Sequence, residues 1–286
     1  MILKFFTIAV CMATSCLGLL SAAHAESEFD IAIEAIIATD AQRFGIPYTD
    51  DKLNGSIFIN PTYDIYYGSF YIEGVDFGPG NPTKAEYKAA IGATPVFGNL
   101  AVDFNLQRRG RVDAPTNAAN RWLPYVTGTY TFSDQVSTSL GVGYYAYDNK
   151  DLAKSFWEIY GAVDLTPTDF LKLHAEASYE PNSNYSDVTI NSDYVELVGS
   201  ATITLPKGFE VYGKVGYEGY IKQTLPSYTW YEAGVNYSFN DHVIVGLKGH
   251  ANSLNSVDCP AQAFTTCDSS VFATLTLRGK ASDFRK

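Results

Sequence analysis

Charged and imidazole side chains recur at every second position in several stretches of this chain. Lys172, His174 and Glu176 interleave with Leu171, Leu173, Ala175 and Ala177, and Glu196 and Glu232 sit in similar alternating runs. Glu158, Glu176 and Glu196 would suit the paired carboxylates of glycoside hydrolysis if folding set them at the right separation. His174, His242 and His250 would need a nearby serine and an orienting acid for acyl transfer, and no Gly-x-Ser-x-Gly run is present. A zinc-protease helix motif, a phosphate-binding loop and a dinucleotide fingerprint are also missing. These residue types complete no recognisable catalytic motif, metal site or cofactor site, and an enzyme is the weaker reading. They fit the lining of a water-filled passage, where charged side chains select solutes.

Such residues need an element that sends alternate side chains to opposite sides, which is the β-strand. Phe29, Ile31, Ile33, Ala35 and Ile37 share one face of the first such stretch, and Asp30 and Glu34 the other. Similar stretches follow at 56–67, 69–77, 84–94, 99–108, 121–132, 135–147, 155–165, 169–179, 191–205, 209–219, 226–239, 242–251 and 269–278. The one helical candidate, 148–159, runs into an alternating pattern at Trp157 and Ile159. The expected fold class is all-β, with about 14 strands. Pro61 and Pro124 fall inside proposed strands, where proline is disfavoured, so twelve strands is the alternative.

The ends of the chain set the compartment. Lys4, the apolar run from Phe5 to Leu20, and Ser21-Ala-Ala-His-Ala25 match a cleaved secretory signal covering 1–25. A lipoprotein-type cut before Cys16 is the weaker alternative. Removing 1–25 takes away both methionines, Cys11 and Cys16. Cys259 and Cys267 remain, and in an exported chain they read as one disulfide rather than two free thiols. The full chain has 286 residues and a net charge of −11, which argues against nucleic acid as a partner. The segment 26–278 holds the strands and 279–286 is a short tail.

Turn chemistry alternates along the chain. Short connections (66–68, 95–98, 133–134, 166–168, 206–208, 240–241) separate longer polar ones (40–53, 78–83, 109–120, 148–154, 180–190, 220–225, 252–268). Outer-membrane barrels sort their loops in this way, short at one rim and long at the other. No stretch after the signal is long and apolar enough for a spanning helix, so a membrane-spanning form must be a closed antiparallel up-and-down β-barrel. Tyr63, Tyr66, Tyr67, Phe132, Tyr237 and Phe239 flank the short turns. Tyr144, Tyr145, Tyr147, Tyr220 and Tyr228 lie toward the long loops. Together they suggest two aromatic girdles at the lipid interfaces. Glu158, Lys172, His174, Glu176, Glu196, Glu232 and Lys248 are then the candidate pore lining, on the face shared with Glu34, Glu210, Lys214, Glu218 and His250. Acidic groups predominate, so weak cation preference is expected. Arg108, Arg109 and Arg111 open a long connection and read as solvated loop residues.

The chain resembles the TorF-like porins of Gram-negative bacteria. The likeness rests on Ala38-Thr-Asp-Ala-Gln-Arg-Phe-Gly-Ile-Pro-Tyr-Thr49, on Gly68-Ser-Phe-Tyr-Ile-Glu-Gly-Val-Asp-Phe77, and on Tyr237-Ser-Phe-Asn through Gly246-Leu-Lys248 to Cys259 and Cys267. Arg43-Phe44 reverses the family's order, Pro47 replaces its usual Ser, and Phe284 stands two residues from the end rather than closing the last strand. The resemblance implies an outer-membrane channel for passive diffusion of small hydrophilic solutes. Its surroundings would be outer-membrane lipid and lipopolysaccharide. A barrel whose long loops bind a partner is the alternative, and both single-chain and oligomeric forms fit.

Overall fold

A computed structural model describes residues 29–47, 49, 52–76, 83–113, 120–149, 153–183, 193–221, 226–254 and 267–284. Fourteen long strands follow one another along the chain. They are β1 (Asp30–Ala38), β2 (Asn54–Tyr63), β3 (Tyr66–Gly74), β4 (Ala85–Ala93), β5 (Leu100–Val112), β6 (Arg121–Ser133) and β7 (Val136–Tyr147). The second half holds β8 (Phe156–Thr168), β9 (Leu171–Glu180), β10 (Asp193–Thr204), β11 (Phe209–Ile221), β12 (Tyr228–Ser238), β13 (Val243–Asn252) and β14 (Ser270–Lys280). Each pairs antiparallel with its chain neighbours, and β14 pairs with β1 to close the ring. Closure removes both sheet edges, so every long strand is paired on both sides.

Alternation sorts the two faces. Trp157, Ile159 and Val163 of β8 are exposed while Phe156, Glu158 and Ala162 are buried. The same division holds on β10, where Leu197 and Ile203 are exposed and Tyr194 and Val198 buried. The barrel is thus apolar outside and charged inside. All short turns lie at the rim where β1 begins and β14 ends. There Asp30 accepts bonds from the backbone N–H (3.0 Å) and the hydroxyl (2.8 Å) of Ser282, tying the C-terminal tail to the first strand.

Several boundaries differ from the sequence reading. The first short turn is Asp64–Ile65, not 66–68, with Asp64 at φ 53°. The turn expected at 166–168 lies at 169–170, because β8 runs on to Thr168. Arg108, Arg109 and Arg111 belong to β5 rather than to a loop. Arg108 faces outward, where it lies over the Trp122 ring at 5.2 Å and donates to Asp148 at 2.7 Å. These hydrogen bonds hold the Asp148 carboxyl below its usual pKa, so the pair stabilises above the unfolded-state value and is lost as pH falls.

Both prolines sit in strands without bulges. Pro61 pairs in register with Ile31, and the β2–β3 register is unchanged on either side of it. Its missing N–H would leave the opposed Gly68 carbonyl unpaired, but Asn60 Nδ2 donates to that oxygen at 2.6 Å. The Asn60 side chain replaces the absent rung. Asn60→Ala is therefore expected to cost about 1–3 kcal/mol, read as an earlier midpoint in denaturant unfolding of the refolded barrel. Pro124 interrupts the β6–β7 ladder between Tyr125 and Trp122, again without a change of register.

The aromatic bands are only partly as expected. Outward rings mark both rims: Tyr66, Phe132 and Phe239 near the short turns, and Trp122, Trp157 and Tyr231 toward the long loops. Tyr145, Tyr147 and Tyr228, assigned above to the long-loop girdle, instead point into the barrel and are buried. Their strand positions have the parity of Glu158 and Glu218, not that of the exposed rings.

Candidate pore constriction

Just after β1 the chain turns inward. Gln42–Arg43 and Ile46–Pro47 pair as a short antiparallel ribbon, with positive φ at both Phe44 (52°) and Gly45 (69°). That is the conformation of a two-residue hairpin turn whose strands follow the native twist. Asp40 fixes the base, accepting from Ala41 N–H at 2.8 Å and from Thr49 Oγ1 at 2.5 Å.

The ribbon spans the lumen from one wall to another. On one side the Gly45 carbonyl accepts from His250 Nδ1 (3.1 Å) and Asn252 Nδ2 (2.7 Å) of β13. Gln42 also bonds Glu232 of β12. Ile46 packs against Val198, Tyr228 and Trp230. On the other side Arg43 binds Glu73 of β3 at 3.0 Å and also pairs with Glu86 of β4. Arg111 completes this group by donating to Glu86 at 2.7 Å. Arg43, Arg111, Glu73 and Glu86 all have side chains at least 87% buried, so two cations and two carboxylates neutralise one another away from water.

Beyond the ribbon the wall divides by charge. Lys88 (β4), Arg109 (β5) and Arg121 (β6) lie side by side in register. Arg121 also lies over the rings of Tyr145 (5.7 Å) and Tyr147 (5.4 Å). Across β8 to β11 the wall is acidic. Glu196 and Glu218 are direct cross-strand partners, and Glu196 lies within electrostatic reach of Glu158, Glu176 and Glu180. Glu218 is fully buried, bonded by Tyr194 and, at 3.1 Å, by Trp230 Nε1. Tyr145 donates to Glu158 at 3.1 Å.

The sequence-derived residues therefore fall into separate groups. Glu158, Glu176 and Glu196 join the acidic wall. His174 bridges Asp164 (2.7 Å) and Glu176 (3.1 Å). Glu232 and Lys248 share the inner face of β12–β13, Glu232 beneath the ribbon and Lys248 over the Tyr212 ring at 5.9 Å. Lys172 stands apart, exposed near the short-turn rim. Cys267 packs beside the Tyr228–Trp230 cluster, and Cys259 lies outside the described residues. The signal segment 1–25 lies outside them too.

Sequence reasoning missed Arg43, Glu73, Glu86, Lys88 and Glu180. It also placed Arg109 in a loop. The signal for Arg109 and Arg111 was available: they continue the parity of Asp103, Asn105 and Gln107 along β5. For Arg43 no periodicity could help, because its ribbon has two residues per arm.

A closed up-and-down barrel of fourteen strands, apolar outside and charged within, has the fold of the outer-membrane porins. Solved structures agree. The chain superposes on a porin with a TM-score of 0.53 at 11% identity, covering 88% of this chain and 100% of that one. The outer-membrane channel DcaP of Acinetobacter baumannii gives 0.50 at 11% identity, over 88% and 95% of the two chains. The anion-selective porin from Comamonas acidovorans gives 0.50 at 10% identity, over 88% and 98%. No protein-family profile matches the sequence, and no curated protein matches it by sequence.

Proposed function

We propose that the protein is an outer-membrane porin, exported by a cleaved signal at 1–25, that passes small hydrophilic solutes by passive diffusion. The observation that carries this is the ribbon at 40–47, held inside the barrel by bonds to both walls and narrowing a charged lumen. The motifs shared with the TorF-like porins support the same reading. The aromatic rims support a barrel set in lipid, with lipopolysaccharide around the long-loop end. A Cys259–Cys267 disulfide would staple the last long connection beside the ribbon.

The pore lining consists of Glu158, His174, Glu176, Glu196, Glu232 and Lys248, joined by Lys172 at the short-turn mouth. Its acidic excess favours cations weakly. The reversal potential of the protein in a planar bilayer under a KCl gradient tests this. Glu158→Gln and Glu232→Gln are each expected to move it toward anion permeability, and no movement in either would remove both from the selectivity claim. A second reading, a non-conducting barrel whose long loops bind a partner, draws on the tight packing of the outer lumen, where Tyr145, Tyr194 and Glu218 are buried. Current through the refolded protein separates the two.

A further inference from the structure

One attachment of the ribbon can be counted hydrogen by hydrogen. His250, 4% exposed, stands between the turn of the ribbon and its base. Its Nδ1 lies 3.1 Å from the Gly45 carbonyl oxygen, and its Nε2 lies 2.7 Å from Ser270 Oγ. Ser270 Oγ lies in turn 3.2 Å from Asp40 Oδ2, and Asp40 is 2% exposed. Gly45, His250, Ser270 and Asp40 thus form one line that fastens both the turn and the base of the ribbon to β13 and β14.

A carbonyl oxygen only accepts, so Nδ1 carries a hydrogen in either charge state of the ring. A hydroxyl has one hydrogen to give. With a neutral imidazole, Nε2 and Asp40 Oδ2 are both acceptors and compete for that single hydrogen. With an imidazolium, Nε2 donates to Ser270 Oγ and frees the hydroxyl to donate to Asp40. The protonated line therefore holds one bond more than the neutral one, and bonds to charged groups are the stronger kind. The surrounding charges favour the same form. Glu232 on β12 is the cross-strand partner of His250, and Lys248 lies two places along β13 on the same face. β14 presents Ser270 and the Phe272 ring, 6.0 Å from the imidazole. Arg43 of the ribbon is turned to Glu73 and Glu86 on the opposite wall. Two carboxylates, Asp40 and Glu232, thus face the imidazole against one ammonium.

We propose that His250 is a proton-operated latch for the ribbon. Its protonated form holds the segment 40–47 against β13 and β14, and loss of the proton loosens it. The latch rests on the channel reading and adds regulation to the same constriction: the pore is narrower in mild acid than in mild alkali. Asn252 Nδ2 donates to the Gly45 carbonyl in either state, so the ribbon loosens rather than leaves the lumen.

The test records single-channel current and tryptophan emission of the refolded full-length barrel between pH 5 and pH 8, the range in which histidine is the side chain that changes charge. All proteins carry His174→Asn, because that lumen histidine would add a step of its own. Trp230 lies 6.2 Å from the Phe44 ring of the turn and reports the ribbon, whereas Trp122 and Trp157 face outward. Loss of one charged hydrogen bond should make the current at pH 8 at least about twice that at pH 5, with a parallel change in emission. His250→Gln removes the titrating ring and should abolish both steps. Ser270→Ala keeps the imidazole but cuts the line, and should reduce both steps at least about twofold. It serves alone if His250→Gln does not fold. Three results would overturn the latch: a conducting barrel whose current and emission do not change with pH, a current that falls as pH rises, or steps that persist in full in the folded variants. An emission step that His250→Gln abolishes, with no current at any pH, would sustain the latch and sink the channel reading instead.

Discussion

Gly45→Val is expected to release the ribbon from the β12–β13 wall and raise the pore's conductance. Gly45 has φ +69°, where a β-branched residue is strained, and a Cβ there would lie 2.6 Å from both the Ala251 carbonyl oxygen and Trp230 Cβ. Neither obstacle is the far end of a flexible side chain, so the ribbon must move rather than the wall. Moving it breaks the bonds from His250 and Asn252 to the Gly45 carbonyl. Strain and lost bonds together should lower stability by about 2–4 kcal/mol. Denaturant unfolding followed by tryptophan fluorescence reads the stability change, and Trp230 beside the turn reports the displacement. Single-channel recording reads the opening. A variant with parental stability and parental current would show that the ribbon is not held as described.

Arg43→Met is the second large effect. It removes the cation that faces Glu73 and Glu86, whose side chains are 11% and 13% exposed. Truncating one member of a buried ion pair leaves its partner uncompensated and costs about 3–5 kcal/mol. Arg111 still bonds Glu86, so the low end of that range applies and Glu73 bears most of the loss. The combined variant Arg43→Met, Glu73→Gln also removes the carboxylate that Arg43→Met orphans and should recover most of the stability while leaving the ribbon untethered on that side. Equal loss in the single and combined variants would mean that Arg43 acts by packing alone. In bilayers the combined variant separates tether from fold: near-parental stability with increased current is the expected outcome.

The fold was legible because a barrel writes its two solvents into alternate residues. Leu171, Leu173 and Ala175 against Lys172, His174 and Glu176 could serve only a sheet with one apolar and one wet face. Loop lengths added the closure, since alternating short and long connections put one kind at each rim. The misplaced turn at 66–68 has a physical reason. Gly68 looks like turn chemistry, but it lies in a strand opposite Pro61, where an added Cβ would stand 3.2 Å from the proline ring. The tyrosines misled for a similar reason. Tyr144 and Tyr145 are adjacent in sequence and equally near the rim, yet strand parity sends one ring outward and the other to Glu158.

The constriction was hidden because it is built from contacts distant in sequence. Arg43 meets Glu86 across 43 positions, and His250 meets Gly45 across 205. Neither link leaves a periodic trace. What the sequence did carry was strand parity, since Glu158, Glu176, Glu196, Glu232 and Lys248 all fall on the inner face. The gathering of Glu158, Glu176 and Glu196 into one acidic wall, apart from the basic row, depended on strand order around the ring.

The central claim is that this barrel is a pore narrowed by the segment 40–47. Single-channel conductance of the refolded protein in a planar bilayer tests it most directly, compared with a variant in which 41–47 is replaced by a short glycine linker. The expected result is a small, stable current in the parent and a distinctly larger one in the variant. No current from either protein, with both migrating as folded barrels, would contradict the claim.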